Sequence, residues 1–227
     1  MYNIIYKMKR YNIIQNGGKT DILKIREHIN GLNVINLNIC KDMINNKKID
    51  EYLEMIGSGF QAIIYLLNIE KCGYIVIKKY LEEKKNEMYR ELNGLIFVKT
   101  LITRNICPHY LYMYDYNKED GTILFEYVDG DIKKLYKNFS INLSDEFIYS
   151  FFFQILYGIL CEYEMLNLLH LDLLPNNILK KSINKNKVFI YTINDKQYII
   201  PTYGNLFLIS DYGRCYKVKK KKKIMII

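Results

Sequence analysis

The chain has 227 residues, half of them apolar and a quarter charged, which excludes a disordered class and is enough for one large domain or two small lobes around a sizeable core. The formal charge of +9 is uneven: Arg214, Lys217 and Lys219 to Lys223 hold seven positive charges, and residues 1–213 carry only +2. The basicity is that of a tail, so no specific nucleic-acid surface is expected in the fold.

The five cysteines (Cys40, Cys72, Cys107, Cys161, Cys215) form no Cys-x-x-Cys pair and no Cys/His cluster at zinc-ligand spacing. They suit reduced thiols in a cytosolic compartment better than a disulfide framework. The N-terminus lacks a signal-peptide pattern. The most apolar run, Phe147 to Leu160, is too short to span a bilayer and contains Ser150 and Gln154. A cytoplasmic protein with no membrane partner is the expectation.

Residues 1–50 read as an N-terminal extension with one or two helices, the clearest at Asp21 to Ile29. Tyr52 to Leu67 (YLEMIGSGFQAIIYLL) reads as two strands around Gly57-Ser58-Gly59. Glycines there let backbone N–H groups approach phosphate oxygens, although a lone G-x-G is more often a hairpin turn, and Ala62 stands in the third glycine position. Gly73 to Tyr80 is a β-branched strand ending in lysines. Alternation puts Val76 and Lys78 on one face and Lys79 on the other, so Lys78 is favoured over Lys79 to reach over the glycine turn.

The composition of Leu81 to Leu101 predicts a helix, with Glu87 and Glu91 one turn apart and either able to pair with Lys78. His109 reads as a loop or packing residue. Tyr110–Tyr116 and Thr122–Val128 read as adjacent strands, the second breaking into Asp129-Gly130-Asp131, a hinge whose exposed backbone suits an adenine edge. Ser144 caps a helix running to about Leu168, apolar nearly all round and so expected to be central and buried.

That helix delivers the chain into His170-Leu171-Asp172-Leu173-Leu174-Pro175-Asn176-Asn177. Here Asp172 is placed to accept a proton from an attacking hydroxyl, and Asn177 to hold a metal ion bridging phosphates. His170 is read as orienting the loop through hydrogen bonds. Val188–Ile193 and Gln197–Ile200 form a hairpin around Asn194-Asp195, and the strand Leu206 to Ser210 ends in Asp211-Tyr212-Gly213, a carboxylate well placed for magnesium.

Taken in order, Gly57-x-Gly59-x-x-Ala62, Lys78, Glu91, His170-x-Asp172 with Asn177, and Asp211-Tyr212-Gly213 resemble the protein kinase family over roughly positions 50–216. The resemblance implies an α+β, two-lobed fold, with a β-rich N-lobe over 51–128, an incomplete helical C-lobe over 129–216 and a basic tail over 217–227. It implies ATP and Mg²⁺ as cofactors and a protein Ser/Thr hydroxyl as acceptor. Asp172 would be the base, Lys78 the phosphate contact paired with Glu91 (Glu87 in reserve), and Asn177 and Asp211 the metal ligands. Gly57, Ser58, Gly59, Ala62, Ile64, Val76, Glu126 and Val128 would surround the nucleotide, with Phe125 as gatekeeper. The segment Tyr198 to Gly204 before Asp211, and Cys107-Pro108-His109, resemble kinases of large DNA viruses, which would place the protein in host cytoplasm or virion.

Three residues depart from the family pattern: Ala62 at the third glycine, Leu171 for the arginine before the aspartate, and Leu174 for a lysine near the transferring phosphate. The chain also stops shortly after Gly213, so a truncated product is expected, with a partner covering the apolar Phe151–Leu160 helix. The alternatives are a pseudokinase or remnant that binds nucleotide or a partner without transfer, and a small-molecule phosphotransferase.

Overall fold

The computed structural model describes residues 8–15, 18–20, 53–69, 73–134 and 143–219. The helix expected over Asp21–Ile29 and the lysine tail past Lys219 lie outside them. Met8–Gln15 (β1) and Gly18–Thr20 (β2) are strands, which the reading of residues 1–50 as an extension with one or two helices did not include.

Leu53–Ser58 (β3), Ala62–Ile69 (β4) and Gly73–Tyr80 (β5) follow, then helix α1 (Lys85–Thr103), Met113–Asn117 (β6) and Thr122–Glu126 (β7). The strands form one antiparallel sheet in the order β3-β4-β5-β7-β6. Period-two alternation divides its side chains. Ile75, Ile77, Leu124 and Leu67 make an apolar cluster on one face, while Ala62, Tyr80, Ile123 and Phe125 join the main core on the other. Met88, Leu92, Leu95, Val98 and Ile102 of α1 recur at helical spacing and are buried in that main core. The first turn expected in α1 is instead a 3₁₀ turn over Glu82–Lys84.

Gly130–Asp131 (β8) leads towards α2 (Asp145–Cys161), whose N-cap Ser144 accepts a 3.3 Å hydrogen bond from the Phe147 N–H. The helix ends earlier than its apolar run suggested: Glu162–Leu166 widens into a π turn, and Asn167, at φ 54°, closes it in the left-handed region. Its burial is also not the expected one. Tyr149, Phe152 and Leu156 are exposed, while Ser150 and Gln154 are buried. The physical reason is strand capture. Ser150 donates to Pro201 O at 2.6 Å, and the Gln154 amide donates to Asn205 O and accepts from Phe207 N–H, stitching α2 onto the neighbouring strands.

Leu168–Leu169 (β9), Ile178–Ser182 (β10), Val188–Ile193 (β11), Lys196–Pro201 (β12), Asn205–Ile209 (β13) and Tyr216–Lys217 (β14) complete the described chain. They pair as β13-β10-β8, β12-β11-β1-β2 and β14-β9. Asn194 and Asp195 turn the β11–β12 hairpin with φ 50° and 63°, the two positive values that match the right-handed twist of flanking strands. The architecture is α+β. Among the described residues beyond 129, short strands around α2 dominate where the resemblance implied helices. No described helix is long and apolar enough to cross a membrane.

Candidate functional site

Strand alternation on β5 turns Lys78 toward α1, and the rotation of α1 brings Glu91 to meet it. Lys78 Nζ lies 2.5 Å from Glu91 Oε2, with both side chains largely buried. The Tyr80 hydroxyl donates to the same carboxylate oxygen. Lys79 is exposed, and Glu87 is instead paired with Arg90 at 2.9 Å, so neither alternative enters this constellation. Burial opposes the Lys78 charge, but the Glu91 and Asp211 carboxylates outweigh it and raise its pKa. Burial pushes the Glu91 carboxyl up, against the pull of Lys78.

A cleft of ≈ 500 Å³ opens beside this pair. Gly57, Ile64, Val76, Phe125, Glu126 and Val128 contribute to its walls, with Lys78, Glu91, Asn177 and Asp211 also on its lining. Ser58, Gly59 and Ala62 stand outside that lining: Ser58 and Gly59 are exposed at the loop, and Ala62 is buried opposite Tyr80 at the start of β4. Asp172 is likewise outside the lining.

The loop after β9 is held from both sides. The ring of His170 is buried; Nε2 sits 2.9 Å from Ser210 O, and Nδ1 accepts the Asp172 N–H at 3.3 Å. Those partners call for the tautomer protonated at Nε2, and burial lowers the pKa and favours the neutral ring. A 3₁₀ turn over Pro175–Asn177 then swings Asn177 back, so that its Nδ2 donates to Asp172 O at 2.8 Å and reaches Asp172 Oδ2 at 3.4 Å. The Asn177 carbonyl in turn accepts from the Ser210 N–H and hydroxyl. Arg214 Nη1 stands 3.7 Å from Asp172 Oδ1, a largely exposed contact of small energetic weight. Leu171 and Asp211 both take positive φ, 59° and 63°, the local strain that tends to gather at functional loops.

Behind Asp211, Tyr212 is fully buried and its hydroxyl donates to Glu162 Oε1. Burial raises the Glu162 pKa to about 8, against that hydrogen bond. The approach of Tyr212 to α1 requires Gly94, where an added Cβ would lie 2.5 Å from Tyr212 Cβ and 2.7 Å from Cys215 Sγ. Glu162 and Gly94 were not singled out in the sequence. Neither was Lys181, a buried lysine on β10 bonded to Glu126.

Among the described residues, no group of three His, Cys, Asp or Glu side chains assembles a metal site. Asp211 and Asn177 on the cleft wall offer one carboxylate and one amide oxygen. Asn177 Oδ1 already accepts from Asn176 Nδ2 at 2.8 Å, and a carbonyl oxygen has a second lone pair. That set fits a Mg²⁺ arriving with phosphates and keeping waters, and does not fit a cage made by protein alone.

An α+β fold with an open cleft, a lysine–glutamate pair and an aspartate–asparagine loop is consistent with a generic kinase-like arrangement. No protein-family model matches the sequence. Among curated proteins, the chain is similar to the probable serine/threonine-protein kinase 380R of Invertebrate iridescent virus 6, at 23% identity over 233 residues, covering 87% of this chain and 42% of that protein. The chain thus spans less than half the length of this relative. The similarity is distant and hints at homology at the level of the kinase superfamily.

Proposed function

We propose that the chain is an ATP-dependent, Mg²⁺-requiring phosphotransferase of the serine/threonine protein kinase type. The observation that carries the reading is the Lys78–Glu91 ion pair, at 2.5 Å, on the same cleft wall as Asn177 and Asp211. In this reading Glu91 fixes the Lys78 ammonium, and Lys78 contacts the α- and β-phosphates. Val76, Ile64 and Phe125 enclose the base, whose edge meets the main chain near Val128. Asn177 and Asp211 hold Mg²⁺, which when bound neutralises charge on the transferring phosphoryl group.

Asp172 accepts the proton of the acceptor hydroxyl, oriented by the Asn177 amide and by His170. Leu174, half exposed two residues beyond Asp172, leaves the transition state without a cation that a lysine there would supply, so the reading implies a slow enzyme. A second reading has one observation in its favour. Arg214 at 3.7 Å from Asp172 stands where an acceptor hydroxyl would approach, as suits a module that holds nucleotide without transfer.

The test is transfer of labelled γ-phosphate from Mg·ATP to the chain itself, to basic proteins and to small alcohols, with phosphoamino-acid analysis of any labelled protein. Label on serine or threonine that disappears with Asp172→Asn supports the kinase. Nucleotide binding without any label selects the binding module, and label on small alcohols alone selects a small-molecule phosphotransferase.

A further inference from the structure

β10 begins immediately after Asn177 and runs behind the Glu126–Asp131 segment. Lys181 on this strand is 3% exposed, and its Nζ donates to Glu126 Oε2 and to Tyr127 O, each at 3.0 Å. Glu126 is 0% exposed, and its other carboxylate oxygen accepts the Tyr112 N–H at 2.8 Å. Further along, the Asp129 N–H donates to Lys180 O and its carboxylate accepts from the Ser182 N–H, while Gly130 and Asp131 pair with Lys180 and Leu179 as β8. Every residue from 126 to 131 except Val128 is therefore tied back to β10. Val128 lines the cleft, and among the described residues its main chain makes no hydrogen bond.

A fully buried ion pair is poor at adding stability, because desolvation of both charges offsets their attraction; apolar replacements of similar volume are often as stable. What this pair does is geometric. The Tyr127 carbonyl is taken up by Lys181, which is not on the cleft lining, and the segment is anchored on either side of Val128. We infer that Lys181 is a positioning residue that presents the free main-chain edge of Val128 to the base of a bound nucleotide, and so controls recognition of the base but not of the phosphates. The inference rests on the nucleotide reading given above and assigns Lys181 no contact with ligand.

The experiment measures, by calorimetry on the full chain, the affinities for adenosine and for tripolyphosphate separately, with a thermal melt of each variant. Lys181→Met removes the cation facing the buried Glu126 carboxylate and is expected to lower both Tm and adenosine affinity. Lys181→Met with Glu126→Gln removes the buried negative charge as well. In this double variant Tm is expected to recover most of the loss, while adenosine binding stays about tenfold weaker, the worth of one lost hydrogen bond at the hinge, and tripolyphosphate binding is unchanged. Adenosine affinity recovering together with Tm, or both ligands weakening in parallel, would show a merely structural pair and overturn the inference. A parent chain that binds no adenosine at all would instead remove the nucleotide reading, and the role of Lys181 with it.

Discussion

The hydroxyl of Tyr212 donates to the buried carboxyl of Glu162, so the residue after Asp211 is anchored to the π turn that follows α2 as well as packed against α1 at Gly94. An apolar ring alone would lack this directional tie. The tie makes the position of the Asp211 segment depend on a carboxyl group whose protonation state is set by burial.

The first consequence is a pH dependence of stability. Glu162 titrates from an ordinary 4.5 to about 8 in the fold, so the folded chain holds a proton that the unfolded chain releases between those values. Its favourable contribution is complete below 4.5, shrinks by up to about 1.4 kcal/mol for each pH unit of the rise, and is lost by about 8. Glu162→Gln has no such proton to lose. Between pH 5 and 8 the Tm of the parent is expected to fall relative to this variant, and parallel curves would contradict the assignment.

Gly94→Ala tests the packing of the same tyrosine. The added Cβ falls 2.5 Å from Tyr212 Cβ, inside any tolerable contact, and both backbones are fixed in the core. Overpacking of this kind costs about 1–3 kcal/mol, visible as a lower midpoint in denaturant unfolding. An unchanged midpoint would mean that α1 and the Asp211 segment are not in this contact in solution.

Lys78→Met and Lys79→Met separate the two lysines at the end of β5. Lys79 is exposed, and its replacement is expected to change stability by no more than about 0.5 kcal/mol and nucleotide affinity not at all. Replacing Lys78 strands the buried Glu91 carboxylate and removes the phosphate contact, so both stability and Mg·ATP affinity should fall. Equal behaviour of the two variants, in melts and in titrations, would refute the distinction.

Leu174→Lys puts a cation at a half-exposed position two residues beyond Asp172. Under the kinase reading it should raise the rate of phosphoryl transfer about tenfold or more with little change in Tm. A rate equal to that of the parent would show that Leu174 is not the missing charge.

How much of this was legible depends on how local each cause is. The Asn194–Asp195 hairpin is written in two adjacent residues that accept positive φ, and strand alternation was enough to prefer Lys78 over Lys79. The choice of Glu91 over Glu87 was not local, because it depends on how α1 rotates against the sheet. Hydrophobicity alone made α2 appear buried all round; only the strands β12 and β13, with carbonyls to bond, reveal why Ser150 and Gln154 point inward while Phe152 and Leu156 do not. Lys181 and Glu126 lie 55 residues apart, and a lysine in a short strand gives no sign that it is buried. The pairing of β1 with β11 is equally long-range, joining the start of the chain to a hairpin beyond residue 187.

The central claim, that the cleft between Lys78 and Asp211 is a nucleotide site, is tested most directly by calorimetric titration of the full chain with a non-hydrolysable ATP analogue, with and without Mg²⁺. Saturable one-to-one binding is expected, strengthened by Mg²⁺, weakened at least about tenfold by Lys78→Met, and deprived of its Mg²⁺ dependence by Asp211→Asn. Absence of binding in the parent, or binding that neither substitution alters, would contradict it.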